Sequence, residues 1–188
     1  EAGGMDMRTT RSHGIVEDCT FDYCRDGIHH INYPETSVGS ITRRCRFRNC
    51  SESAIELNDY ELQAATPRIQ HVVESCIIDH PATATGQGAI VIGRDGVVTG
   101  LPEAGIGGIA SVRITNCTIN NESAGHAIFA SYRDSALSSH QYLHVENVSF
   151  TGQGKLIAVE RRGRTPSLTF RSNAYETDVA DGWQRDGS

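Results

Sequence analysis

The sequence predicts an all-β fold, a parallel β-helix solenoid of about six coils with three short strands per coil. Three observations predict it. A six-residue pattern, apolar at its first, fourth and sixth positions, returns six times along the chain. A second short apolar motif follows it five times. Equivalent positions of the first pattern, from Cys19 through Cys45, Cys76, Cys117 and Val148 to Asn173, are 26, 31, 41, 31 and 25 residues apart, a unit near 25 with variable insertions. Helical solenoids are excluded, because no segment holds a 3.6-residue period over three turns and the apolar runs are four or five residues long.

Taken in chain order, residues 1–12 read as a lead-in or the remnant of a preceding coil, residues 13–176 as the repeats, and 177–188 as a polar tail. The first pattern reads Val16-Glu-Asp-Cys19-Thr-Phe21, then Thr42 to Phe47, Val73 to Ile78, Ile114 to Ile119, Val145 to Phe150 and Phe170 to Tyr175. Its spacing suits two short strands meeting at a tight two-residue corner. The second motif reads Gly27-Ile28-His29-His30-Ile31, and recurs around Ile55, Ile90, Ile128 and Ile157. At the ordinary interstrand spacing of about 4.8 Å, six coils make a rod roughly 30 Å long.

Stacked coils put equivalent side chains over one another, so columns follow. Phe21, Phe47, Ile78, Ile119, Phe150 and Tyr175 form one inner column, and Ile28, Ile55, Ile90, Ile128 and Ile157 another. Outside, Glu17, Arg43, Glu74, Thr115, Glu146 and Arg171 form a row whose first signs alternate, and Asp22, Arg48 and Asp79 repeat the idea. A solvated charged face accounts for both rows.

The cysteines fall on the repeat. Cys19, Cys45, Cys76 and Cys117 share one column, Cys24 and Cys50 a second. Val148 and Asn173 take the same place in later coils, so the column is expected to hold stacked thiols as small buried groups. A Cys24–Cys50 bridge is the alternative, although parallel Cβ vectors do not favour a disulfide dihedral. Zinc is not expected, because no Cys or His pairs converge.

Composition narrows the functional classes. The chain has 188 residues and a formal charge of −6, which fits one domain and argues against a nucleic-acid face. No apolar run is long enough to span a bilayer. The chain opens at Glu1 without an initiator Met, which points to processing or excision. All but one of its 17 basic residues are Arg, Lys155 being the exception; a GC-rich genome explains this, and guanidinium forks also suit carboxylates. Two open ends of a solenoid invite aggregation, so a homo-oligomer or flanking domains are expected to cap the coils.

The repeat Gly-Ile-x-x-Ile, a variable loop, then Val-x-x-Cys/Asn-x-Phe/Ile resembles that of the right-handed parallel β-helix proteins of the pectate-lyase-like superfamily, over residues 13–176. It is similar also to β-helix proteins of halophilic archaea, which share the Arg bias, although 23 acidic residues in 188 is modest for a halophile. The superfamily includes polysaccharide lyases, glycoside hydrolases, uronate epimerases and viral tail spikes. The resemblance implies a right-handed coil and an extracellular, cell-surface or virion-surface role towards a polysaccharide or cell-surface glycan. It implies a groove beside the strand that carries the loops. It brings no catalytic motif, and function inferred from a fold is analogy.

The residues themselves place a site on that strand. Most insertions (32–40, 58–71, 93–111, 131–142 and 160–167) follow the second motif and leave from one edge. With the Ile column inward, His29, Glu56, Val91, Phe129 and Ala158 face outward. Beyond them lie Asn32, Asp59, Arg94, Tyr132 and Arg161, then Tyr33, Tyr60, Asp95, Arg133 and Arg162. His29, Tyr60, Arg94, Phe129, Tyr132, Arg161 and Arg162 are the expected sugar contacts, through stacking and bidentate clamping of uronates. Glu56, Asp59, Asp95, Arg133 and Asp134 are the expected catalytic groups: Glu56 with Asp59, or Asp95 with Asp134, as carboxylate pairs for hydrolysis, or an Arg or His as base for a lyase while a cation or second Arg neutralises the uronate. Arg94-Asp95 and Arg133-Asp134 as loop-bracing ion pairs are the plainer reading. No cofactor is expected; Asp59, Asp95 and Asp134 would hold calcium only with further oxygens, since such sites take six to eight. Four sequons, at Asn49, Asn116, Asn121 and Asn147, permit glycosylation, but Asn116 and Asn147 are expected at corners, where Asn tolerates left-handed geometry. A polysaccharide-processing enzyme, a non-catalytic adhesive or virion-spike module, and a structural spacer all fit these residues.

Overall fold

A computed structural model of the chain describes residues 4–9, 14–32, 39–59, 70–79, 88–92, 111–121, 125–132, 142–154, 156–161, 167–175 and 183–186. The described residues are all strand and turn, in three parallel sheets. Sheet I has seven strands in the order β1 (Met5–Thr9), β4 (Ile28–Asn32), β7 (Ile55–Asp59), β10 (Gly88–Ile92), β13 (His126–Tyr132), β16 (Ile157–Arg161) and β19 (Trp183–Asp186). Sheet II runs β2 (Gly14–Glu17), β5 (Gly39–Arg43), β8 (Gln70–Glu74), β11 (Ser111–Thr115), β14 (Tyr142–Glu146) and β17 (Ser167–Arg171). Sheet III runs β3 (Thr20–Asp22), β6 (Arg46–Arg48), β9 (Ile77–Asp79), β12 (Thr118–Asn121), β15 (Ser149–Gly152) and β18 (Ala174–Tyr175). The chain visits the sheets in rotation and each strand pairs with its equivalent one coil away, the arrangement of a β-solenoid.

Two parts of the chain that lack the repeat still add strands. β1 comes from the lead-in and pairs with β4, Met5 beside Ile28. β19 comes from the stretch expected as a polar tail and pairs with β16, Trp183 beside Ile157. A strand needs only a free edge and backbone hydrogen bonds, which the corner motif does not control.

The corner between sheets II and III has one geometry throughout. Asp18, Arg44, Ser75, Asn116, Asn147 and Ser172 all have φ between 52° and 57°. This left-handed conformation is uncommon for non-glycine residues and easiest for Asn and Asp. Its return is a continuous ladder. The corner amides of Asp18, Arg44, Ser75, Asn116 and Asn147 donate to Arg43, Glu74, Thr115, Glu146 and Arg171 of the next coil, at 3.0–3.2 Å.

The residue after each corner explains the Cys column. The thiols of Cys45, Cys76 and Cys117 donate to the carbonyls of Val16, Thr42 and Val73, three residues before the column position of the preceding coil. Asn173 Nδ2 donates to the equivalent carbonyl, that of Val145, at 3.1 Å, and its Oδ1 accepts from the Val148 amide at 2.9 Å. Cys and Asn therefore exchange because both are small and both carry a donor. All six cysteines are free thiols, so Cys24 and Cys50 are not bridged. Burial pushes the Cys50 thiol up to about 12.

Both inner columns hold register. Phe21, Phe47, Ile78, Ile119, Phe150 and Tyr175 succeed one another across sheet III. Phe21 and Phe47 stack with ring centroids 5.1 Å apart and 7° between planes. Ile28, Ile55, Ile90, Ile128 and Ile157 succeed one another across sheet I and are all fully buried.

Candidate functional site

Alternation in sheet I, with the Ile column inward, turns the next residue of each strand outward. His29, Glu56, Val91, Phe129 and Ala158 stand in register across β4, β7, β10, β13 and β16, one rung apart. β1 places Asp6 before this row and β19 places Gln184 after it.

The row is less open than its outward placement suggests. Glu56 is 3% exposed and Val91 5%, and Val91 lies outside the core cluster. The Glu56 carboxylate comes within 3.5 Å of His29 Nε2, and His29 keeps a quarter of its side chain in solvent. Phe129 is half-buried and lies nearly parallel to His126, centroids 6.5 Å apart and 13° between planes. A covered carboxylate against a half-open imidazole, followed two rungs on by an aromatic pair, offers a proton-transfer couple and a flat apolar face.

The other expected site residues divide by position. Asp59, Tyr132 and Arg161 lie in β7, β13 and β16, where Asp59 pairs with Asn32 and Tyr132 with Arg161. Tyr60, Arg94, Asp95, Arg133, Asp134 and Arg162 lie outside the described residues. The intervals 33–38, 60–69, 93–110, 133–141 and 162–166 each follow the C-terminal end of a sheet I strand, as the positions of the insertions require.

A second polar concavity, which the sequence reading did not single out, lies on the outside of sheet II at its corner. It is a shallow groove of about 510 Å³ lined by Glu74, Arg113, Thr115, Asn116, Glu146, Asn147 and Ser172. Thr115 pairs with Glu74 on one side and Glu146 on the other, so a small residue separates two carboxylates along the row. His144 Nε2 lies 3.0 Å from Glu146 Oε2. The break in sign alternation at Thr115 was the signal: where the ladder loses a long side chain, a hollow remains.

Elsewhere the outer rows are tied by ion pairs. Arg43 and Arg44 both reach Glu17, at 2.6 and 2.9 Å, and Arg44 reaches Asp18 at 2.7 Å. These hydrogen bonds hold the Glu17 and Asp18 carboxyls below their usual range. Arg48 meets Asp22, and Arg46 meets Asp79, both at 2.6 Å. Among the described residues no group of three or more His, Cys, Asp or Glu is placed to hold a metal ion, and no helix is long and apolar enough to cross a membrane. Comparisons with protein-family models, with curated proteins and with solved structures find no match for this chain.

Proposed function

We propose that this chain is a right-handed parallel β-helix of the pectate-lyase-like kind that engages a polysaccharide or cell-surface glycan, outside the cell, along the outward row of sheet I. The repeat motif and the three stacked sheets support the architecture. One observation carries the binding surface: His29, Glu56, Val91 and Phe129 stand in one row, a rung apart, with His29 and Glu56 in contact. A row repeating at about 5 Å suits a ligand that is itself a linear repeat. The Phe129 face packs against a sugar ring, while Glu56 accepts from sugar hydroxyls and His29 bonds hydroxyl or uronate groups.

The His29–Glu56 couple favours chemistry as the second reading. A histidine held by a covered carboxylate is oriented to take a proton, and in a lyase it takes the one beside a uronate carboxylate. The test uses a glycan array spanning neutral and uronate-bearing sugars, with wild type, Glu56→Gln and Phe129→Ala. Retention of a glycan family, weakened at least about tenfold in both variants, supports the row. No retained glycan, or retention indifferent to both changes, overturns it. Release of unsaturated uronates, read by their ultraviolet absorbance and abolished by His29→Ala, marks a lyase. Binding without product marks an adhesive module.

A further inference from the structure

Among the described residues, the inward columns of sheets I and II are mostly aliphatic and carry a polar cluster at one end. The inward column of sheet I reads His30, Leu57, Ile92, Ala130. The inward columns of sheet II read Ser40, His71, Val112, Leu143 and Thr42, Val73, Ile114, Val145. His30, Ser40, Thr42 and His71 are at most 1% exposed. They bond in pairs: His30 Nε2 with Thr42 Oγ1 at 2.7 Å, and His71 Nδ1 with Ser40 Oγ at 2.7 Å. The first bond ties β4 to β5 across the lumen, and the second ties β5 to β8.

His30 Nδ1 is the buried side-chain nitrogen or oxygen, among the described residues, that has no hydrogen-bond partner. A neutral imidazole offers one donor and one acceptor. Thr42 uses one of them, and the idle one is tolerated while the ring carries no charge. A second proton would leave a cation with an unanswered N–H and, among the described residues, no counter-charge beside it. The groups packed around His30 are Thr42 from β5, Leu57 from β7 and His71 from β8, with Met7 of β1 in register beside it. On its own strand, His29 faces the other side of the sheet and meets Glu56 there. None of these supplies an anion to the lumen, and the second imidazole, His71, opposes protonation of the first.

We propose that this polar end of the lumen is a proton-operated latch, in which protonation of His30 opens the coils built from β4, β5, β7 and β8 while the aliphatic coils stay closed. Burial, then His71 and His29, push the closed-state imidazole down to about 3. An opened chain restores it to about 6.5. Between those values the open state binds more protons, so closure is fully favoured above about pH 6.5 and weakens as pH falls towards 3. The opening equilibrium rises about tenfold per pH unit in that window, hence about thirtyfold at pH 5.

Native-state hydrogen exchange on the full chain, corrected for the chemical exchange rate, tests this. Between about pH 7 and pH 4.5, amides of β4, β5 and β8 are expected to show that tenfold-per-unit opening while β13 and β14 stay flat. His30→Leu removes the proton site and abolishes the response. Where that variant does not fold, side-chain NMR of wild type decides, with His30 staying neutral in the closed form. A His30 ring that titrates near 6.5 with the coils closed overturns the proposal. So does opening shared equally by all strands, or a pH response surviving in His30→Leu.

Discussion

The first three coils and the last three share one register but satisfy their polar groups differently. In the first, charge is outside and imidazole inside: Glu17, Asp18, Arg43 and Arg44 interlock at the corner while His30 and His71 sit in the lumen. Later the corner is amide and the lumen aliphatic: Asn147 Nδ2 donates to Asn116 Oδ1 at 2.7 Å, and Val112, Ile114, Leu143 and Val145 fill the interior. The backbone ladder is identical in both halves. A coil position therefore demands a corner conformation and a volume, and it accepts any polar group whose partner stands one coil away.

The strongest way to break this comparison is to empty the lumen in each half. Phe47→Ala and Phe150→Ala remove the same column member from sheet III, both nearly fully buried. Each is expected to cost about 3–5 kcal/mol in urea unfolding. Phe47 also loses its stack on Phe21, worth about 0.5–1.5 kcal/mol beyond burial. Equal costs would show that the stack contributes nothing.

The Cys column sharpens the comparison at the next level. Asn173→Val strips two hydrogen bonds from the last coil, leaving the Val145 carbonyl and Val148 amide without them, and is expected to cost about 1–3 kcal/mol. Cys76→Val removes only weak thiol contacts, 3.4 Å to the Glu74 carbonyl and 3.7 Å to that of Thr42, and is expected to cost under about 1 kcal/mol. Chemical unfolding of the two variants side by side reads the difference. Parity would mean that volume alone selects this column.

Acid separates the halves in another way. Carboxyls held low by Arg43 and Arg44 contribute stability that is fully present above the unfolded carboxyl range and is lost as pH falls from there through their lowered folded range. The lumen histidine acts earlier, from about 6.5 downward. Arg44→Gln should therefore flatten only the acid end of a stability–pH profile, and raised salt should mimic it. A change in the profile near neutrality would contradict that division.

Most of the architecture was legible in residues that repeat. The corner, the Cys column and the sheet III column share one six-residue pattern, and the Ile column of sheet I recurs in the second motif, so spacing alone placed them. β19 was not legible, because Trp183-Gln-Arg-Asp lacks that pattern and joins through backbone hydrogen bonds. Alternation along Ile28-His29-His30 assigns one histidine to each side. It does not reveal that Thr42 meets the inner one from another sheet, because that contact arises only when coils close around the lumen. The same limit applies to the candidate site. Alternation placed Glu56 outward, but its 3% exposure depends on what lies over a strand, which a period of two does not encode. Arg113 escaped notice because its place in the sheet II groove depends on Thr115 being short beside it.

The smallest effect concerns the corner itself. Ser75 sits at φ 54° between the charged corners of the first coils and the Asn corners of the later ones, and its side chain is exposed. A non-glycine residue pays roughly 1–2 kcal/mol for left-handed backbone, and Asn pays least because its short amide bonds locally. Ser75→Asn would place an amide one coil before Asn116, whose own Oδ1 already accepts from Asn147. Asn116 Nδ2 would then have an acceptor in the new residue, extending the amide run by a coil. A gain of about 0.5–1 kcal/mol is expected, read as a rise in Tm. A loss of stability would mean that the hydroxyl at this corner is specifically required, and the corners would then no longer be interchangeable between the two halves.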